Sequence, residues 1–427
     1  MSAEYVVKIW VPDFLAIARE NFLLGRLLNS SRILSLRVIP MFRKFLLAAI
    51  GSCLALSLTG LAIEAPTITI SKSDSIALAL TPIGGADGAV LTKIVQNDLA
   101  LSGCFSITNA AKAGMIVSGD GSGGSLQGKV VDHSGGNVLM RSYDGDARQK
   151  AHAFANDIIE TLTGSHGMAG SKIAFVAISA GHKELYASDY DGSRVTRITT
   201  DGNISVAPSL SPDGRQIAYT SYLQGYADIY TVDLASGARH RIVKFPGTNS
   251  GAAFSPDGSE IACTVSKDGN PELYVVSSSG SSARRLTHTP GVESSPTWSP
   301  DGGEIIYSSD DGGSPQLYRI SADGGRGRLI SVGYNYCTKP SWSPDGKKIA
   351  FDIRQGGVFQ VAVLDLGSGV VRPMTSGEDA RDPVWGPDSR HLMFTQGGDL
   401  ILLDSQTGRK IKIPVGLGSI SEPTWSH

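Results

Sequence analysis

Ser299-Pro300-Asp301-Gly302 decides the fold, because the same four letters return at Ser211-Pro212-Asp213-Gly214, Ser255-Pro256-Asp257-Gly258 and Ser343-Pro344-Asp345-Gly346. A variant, Gly386-Pro387-Asp388-Ser389, follows them. The steps between these starts are 44, 44, 44 and 43 residues. A repeat of about 40–45 residues suits one four-stranded blade of a β-propeller. The letters are those of a tight turn: proline presets φ, aspartate caps, and glycine takes the positive-φ place.

Working outward from Ser299, the unit reads as four strands. Pro296-Thr297-Trp298 is an inner strand, and Glu304 to Ser309 follows the turn. Asp310-Asp311-Gly312-Gly313 turns into Gln316 to Ile320, and Ala322-Asp323-Gly324-Gly325 turns into Arg328-Leu329-Ile330. The second strand can be counted on its own, as Ile173-Ala174-Phe175, Ile217-Ala218-Tyr219, Ile261-Ala262-Cys263, Ile305-Ile306-Tyr307, Ile349-Ala350-Phe351 and Leu392-Met393-Phe394. Six blades are expected. The first lacks an inner strand, whereas Glu422-Pro423-Thr424-Trp425-Ser426-His427 is an inner strand without a blade. Giving that strand to the first blade closes the ring and leaves no open sheet edge. Trp298, Trp342, Trp385 and Trp425 share one slot of the repeat, filled elsewhere by Leu210 and Phe254, and read as packing between blades.

The chain of 427 residues has room for two or three domains. A formal net charge of −2 gives no basic surplus for nucleic acid, and 51 glycines suit many tight turns. Cys53, Cys104, Cys263 and Cys337 show neither metal-type nor disulfide-type spacing. Residues 1–40 read as an upstream extension or a mis-assigned start. From Met41 a signal peptide is legible: Arg43 and Lys44, an apolar core from Phe45 to Leu58, and Gly60 and Ala62 as small residues before a cut. An uncleaved anchor is the competing reading, since Phe45 to Ile63 comes close to the roughly 20 residues that span a bilayer. Export with cleavage near Ala62 is the expectation.

Residues 63–168 stand outside the repeat and read as an α+β domain. Thr67 to Ile70 and Ser75 to Thr81 are strand-like, Ala89 to Leu101 has helical apolar spacing, and a second helix spans Ala147 to Leu162. Gly119-Asp120-Gly121-Ser122-Gly123-Gly124 matches a dinucleotide loop in its letters. The segment after it reads as a strand instead of the helix that such a loop requires, so a hairpin turn is expected. Residues 169–427 are assigned to the propeller.

The propeller repeat, the export signal, the α+β domain with Asn97-Asp98-Leu99-Ala100-Leu101-Ser102-Gly103-Cys104-Phe105, and the junction at Leu162-Thr163-Gly164 and Lys172-Ile173-Ala174-Phe175-Val176 together resemble the TolB family of the Tol–Pal envelope system. Two departures stand out: the short stretch between Thr108 and Ser125, and the forty residues before Met41. The resemblance implies a periplasmic, monomeric protein-binding component without a cofactor, supporting outer-membrane integrity and cell division. One mouth of the propeller would receive Pal, the peptidoglycan-associated lipoprotein, and the N-terminal segment would be recognised by TolA. Other outer-membrane or peptidoglycan-associated proteins are further candidate partners. For the Pal face the implied residues are Thr248, Asn249, Gly251, Glu293, Ser294, Ser295, Lys339, Arg381, Asp382 and Glu422. For the TolA segment they are Ile63, Glu64, Thr67, Ile68, Thr69 and Ile70.

Other functions leave weaker traces. A peptidase of the propeller-gated kind needs a nucleophile elbow and a separate α/β domain, and no G-x-S-x-G elbow stands in this sequence. The histidines have no metal-type i, i+4 partner. Acidic turns at Asp189-Tyr190-Asp191-Gly192 and Asp310-Asp311-Gly312 carry oxygen ligands suited to calcium, but read as solvated hairpins. A propeller that binds a small ligand or glycan in its channel remains the alternative, beside a non-catalytic relative of peptidase-associated propellers.

Overall fold

A computed structural model describes residues 75–426. The leader, the cleavage site and the segment from Ile63 to Ile70 lie outside the described residues.

The α+β part comprises β1 (Ile76–Leu80), α1 (Gly88–Leu101), β2 (Phe105–Ile107), β3 (Met115–Asp120), β4 (Leu126–Asp132), β5 (Asn137–Tyr143) and α2 (Ala147–Thr163). Its sheet runs β2-β1-β3-β4-β5, with β1 parallel to both neighbours and the last three strands antiparallel. In α1, Leu91, Ile94, Val95 and Leu99 turn inward at helical spacing and meet Phe154 and Ile158 of α2 over the sheet. Asp146 and Gln149 form a reciprocal capping box at the start of α2, and Gly164 ends it at a φ of 70°. The glycine-rich stretch after β3 is the β3–β4 turn, with Lys150 Nζ donating to the Gly124 carbonyl at 2.6 Å. The dinucleotide motif is therefore a hairpin.

The remaining strands form six four-stranded sheets arranged as a six-bladed propeller. Each inner strand runs into its turn the same way. Ser299 Oγ donates to Asp301 Oδ1 at 2.5 Å and accepts from the Glu304 amide at 2.9 Å, while Gly302 takes a φ of 73°. Ser211, Ser255 and Ser343 repeat the hydroxyl–carboxylate bond at 2.6 Å each. The serine hydroxyl also holds the Asp213, Asp257 and Asp301 carboxyls below the usual carboxylate range.

The tryptophans pack against the blade before their own. Trp298 meets Ala262, Leu273 and Val275, and Trp385 meets Ala350, Val361 and Val363. Truncating an aromatic buried this way typically costs about 3–5 kcal/mol. Cys263 is fully buried in an aromatic slot, and burial pushes its thiol up to about 12, as suits an inert hydrophobe.

Ring closure follows the sequence reading. The strand Ser421–Trp425 lies beside Lys172–Ser179 in the first blade, and the Lys172 amide donates to Ser426 Oγ at 2.9 Å.

One element of the blades escapes the repeat letters. Every inner strand carries a register shift against its neighbour. At each shift one residue lies in the left-handed region: Ala207, Gly251, Ser295, Lys339, Asp382 and Glu422, at φ between 51° and 65°. This is a bulge, and it breaks strand alternation. In the strands Ser205–Leu210, Asn249–Phe254, Glu293–Trp298 and Cys337–Trp342, positions one, four and six turn inward as a result. The bulged residue instead lines the central channel in all six blades. For a residue with a Cβ, left-handed backbone costs roughly 1–2 kcal/mol.

Candidate functional site

Strand direction divides the propeller into two ends. Inner strands begin at one mouth and finish in the Ser-Pro-Asp-Gly turns at the other, where third strands also finish.

The turn end carries the α+β part. Arg148 of α2 reaches the 189–192 turn of the first blade, with Nε 3.0 Å from Asp189 Oδ2 and Nη2 3.1 Å from Asp191 Oδ2. Tyr190 donates its hydroxyl to Asp98 Oδ1 of α1 at 2.6 Å, and His152 Nδ1 lies 2.7 Å from Asp98 Oδ2. Asp98, His152 and Tyr190 are all buried. In the sixth blade Arg390 clamps Asp404 at 3.0 and 2.7 Å and also reaches Cys104 Sγ at 2.9 Å. Against burial, the Arg390 guanidinium and the Thr407 hydroxyl hold the Asp404 carboxyl down to about 2. Of the two acidic turns weighed for calcium and read as solvated hairpins, Asp189-Tyr190-Asp191-Gly192 presents its carboxylates to Arg148. Among the described residues no cluster of three or more His, Cys, Asp or Glu could hold a metal ion. Nothing in the sequence of α1 marks Asp98, or in that of α2 Arg148, as a docking residue; their partners lie 41 and more residues away along the chain.

The open mouth is built differently. Gly251, Ser295, Lys339, Asp382 and Glu422 all line the channel, a cavity of ≈ 410 Å³. Lys339 Nζ lies 3.6 Å from Asp382 Oδ1, and Glu422 Oε2 accepts from the Ala207 amide at 2.6 Å. Asp352, fully buried behind them, accepts from the Asp382 amide at 3.0 Å. Burial opposes the Lys339 ammonium, yet Asp382, Glu422 and Asp352 outweigh it and raise its titration above the ordinary lysine range. Burial, with the Asp382 charge added, drives the Asp352 carboxyl well above the carboxylate range. Sequence reasoning missed Asp352. It occupies the second-strand position held by Thr220, Thr264 and Ser308 in the preceding blades, and a carboxylate in a hydroxyl slot was the available signal.

Arg381 stands on the rim, half exposed, paired with Asp379 at 2.5 Å and with its guanidinium 3.9 Å from the centre of the Phe359 ring. Thr248 is exposed at the rim and Ser294 is partly covered. Two expected mouth residues need correction. Asn249 and Glu293 are 0% exposed, because they occupy the first, inward position of a bulged strand. The Asn249 amide group donates to the Phe245 carbonyl at 2.8 Å and to Asp228 Oδ1 at 3.2 Å, while Glu293 Oε1 accepts from Thr289 and Ser309. Both brace the rim from beneath instead of presenting a surface. Exposed apolar side chains complete the rim: Ile178, Ile204, Leu223, Tyr226, Val292 and Val358, with Tyr226 at 73%. Among the described residues no helix is long and apolar enough to cross a membrane.

This architecture has known counterparts. The crystal structure of TolB from Acinetobacter baumannii superposes with a TM-score of 0.75 at 26% identity, over 83% of this chain and 98% of that one. The Tol-Pal system protein TolB of Geobacter sulfurreducens is 32% identical over 186 residues, or 35% of this chain and 43% of that protein. A TolB homolog of Chlorobium chlorochromatii is 30% identical over 216 residues, or 41% and 49%. The chain thus spans less than half the length of these two curated relatives in the matched regions. The sequence model of the TolB beta propeller domain matches residues 159–427, which is well over half of the chain, and on that match this chain belongs to the TolB β-propeller family.

Proposed function

We propose that this chain is a periplasmic protein-docking component of a Tol–Pal envelope system. The open mouth of its propeller receives Pal, and the segment around Ile63, Glu64 and Thr67 to Ile70 is taken up by TolA. The observation that carries the reading is the division of the ring. One end is occupied by the α+β part, while the other presents a charged channel entrance, Lys339, Asp382 and Glu422, inside a rim of exposed apolar side chains. An apolar rim around fixed charges suits a protein partner, with the charges setting orientation and specificity. In this role the protein would link Pal and TolA and thereby support outer-membrane integrity and cell division.

The test is a calorimetric titration of residues 63–427 with the soluble domain of Pal from the same organism. Arg381→Ala and Tyr226→Ala should each weaken binding about tenfold or more, the scale of a contact worth 1.4 kcal/mol or above. Arg215→Ala, exposed at the turn end, should leave it unchanged. Absence of binding by a well-folded protein would discard the Pal reading and leave the channel, with its cavity and charged entrance, as a site for a small ligand or glycan. Deleting Ile63 to Ile70 should abolish TolA binding and spare Pal; retained TolA binding would remove that segment from the proposal.

A further inference from the structure

Beneath the open mouth, the first residue of an inner strand meets a fixed slot on the third strand of the preceding blade. The amides of Asn249, Glu293 and Cys337 donate to the carbonyls of Ala227, Pro271 and Pro315, each just before the slot residue. The side chains that come together are therefore Asn249 with Asp228, Glu293 with Glu272, and Cys337 with Gln316. In the first pair the asparagine amide donates to the aspartate. Only the second pair sets one acid against another.

Both glutamates are 0% exposed. Glu272 Oε1 accepts from Arg285 Nη2 at 2.8 Å and from the Thr289 amide at 2.9 Å. Glu293 Oε1 accepts from the hydroxyls of Thr289 and Ser309, both at 2.7 Å. Glu272 also takes the Asn270 amide group at 3.3 Å and has the Thr287 hydroxyl beside it, whereas Glu293 Oε2 is buried without a donor among the described residues; the two carboxyls are within hydrogen-bonding reach of one another. The surrounding charges do not balance two anions. Arg285 is the cation at the pair and is already committed to Glu272 and Asp268. Tyr307 and Tyr274 also face the pair, and neither can supply positive charge. Asp310 stands at the edge, accepting from the Val292 amide at 2.7 Å. A buried carboxylate with neither cation nor full hydrogen bonding takes up a proton instead. A proton on one Oε2 does here what the amide of Asn249 does one blade earlier.

We propose that Glu272 and Glu293 share one proton beneath the mouth, carried by Glu293, and that releasing it to solvent loosens the Thr289–Glu293 segment, so that rim order responds to pH. Burial, with the Glu272 charge added, pushes Glu293 up to about 7, while Glu272, against burial, is held low by the Thr287 hydroxyl, the Thr289 amide and Arg285. Once the proton leaves, two buried anions oppose each other across one hydrogen-bonding distance, and Glu293 is the partner attached to a surface loop. That loop carries Val292, which is 43% exposed on the rim. The protonation stands on its own; only its consequence for a partner rests on the docking role proposed above.

Infrared spectra of residues 63–427 test the first half without any partner. The difference between wild type and Glu293→Gln should contain a protonated-carboxyl band at about pH 6 that vanishes by about pH 8. Glu272→Gln, which supplies Glu293 with an amide donor, should remove the same band. Either variant suffices if the other fails to fold. Absence of a titrating band in both differences overturns the shared proton. Hydrogen exchange tests the second half, comparing the Val292 and Glu293 amides with that of Asn249 after correction for intrinsic rates. The ratio should rise about tenfold between pH 6 and 8 in wild type, the effect of one pKa unit, and stay flat in Glu293→Gln. A flat wild-type ratio, or a rise that persists in the variant, overturns the loosening. If Pal binds at neither pH while the band titrates, the docking role fails and the proton pair stands.

Discussion

The two ends of the propeller are made from the same strands, yet they read differently. At the turn end the letters barely change from blade to blade, and each serine, aspartate and glycine repeats one hydrogen-bonding pattern. At the open end, the first inner-strand position holds Ser205, Asn249, Glu293, Cys337 and Ala380, no two alike. The bulged position varies as widely, from Gly251 to Lys339 to Glu422. Geometry dictates a tight turn and leaves few residue types able to make it. The mouth needs only a backbone path, so its side chains are free to diversify, and charge collects there.

The comparison can be broken most severely at the ring closure. Deleting the chain from Ser421 onward strips the first blade of its inner strand and removes Trp425 from between two blades. Loss of one cooperative thermal transition is expected by calorimetry; an unchanged transition would mean the blades are held without the closing strand. Next comes the docking at the turn end. Arg390→Met leaves Asp404 buried without its guanidinium, which should cost about 3 kcal/mol by denaturant unfolding at neutral pH. The depressed Asp404 carboxyl contributes stability that is complete above its unfolded value near 3.8 and is lost as pH falls toward about 2. The gap between wild type and variant should therefore narrow over that window. The smallest effect belongs to a single turn. Asp257→Ala removes one cap from an exposed hairpin and should cost about 1 kcal/mol, with Pal binding untouched. A binding defect there would erase the division between the two ends.

Most of the fold was legible because its signals are local. Glycine at positive φ, proline at the turn and tryptophan before it recur at a countable interval, and the unpaired strand containing Trp425 pointed to the closure. The mouth was legible only in part. Lys339, Asp382 and Glu422 fall on the channel as their register implied, but Asn249 and Glu293 turn inward, because a bulge two residues later resets which side chains face the core. No residue type announces that bulge: alanine, serine, lysine, aspartate and glutamate all accept it. The contacts of Arg148 and Arg390 were hidden for another reason, since each joins segments whose meeting is decided by the finished ring.

The seam between Ser421–Trp425 and Lys172–Ser179 sets the tempo of assembly. Its partners lie 254 residues apart in the chain at the Lys172–Ser426 hydrogen bond. The entropy of closing so long a loop grows only slowly with length, so the seam is thermodynamically affordable. Kinetically it is a long-range pairing, and such contacts form late. Until they do, Lys172–Ser179 is a bare edge whose central residues are apolar, able to pair with another molecule. Before the ring closes, that edge is the part of the first blade most open to pairing with another chain.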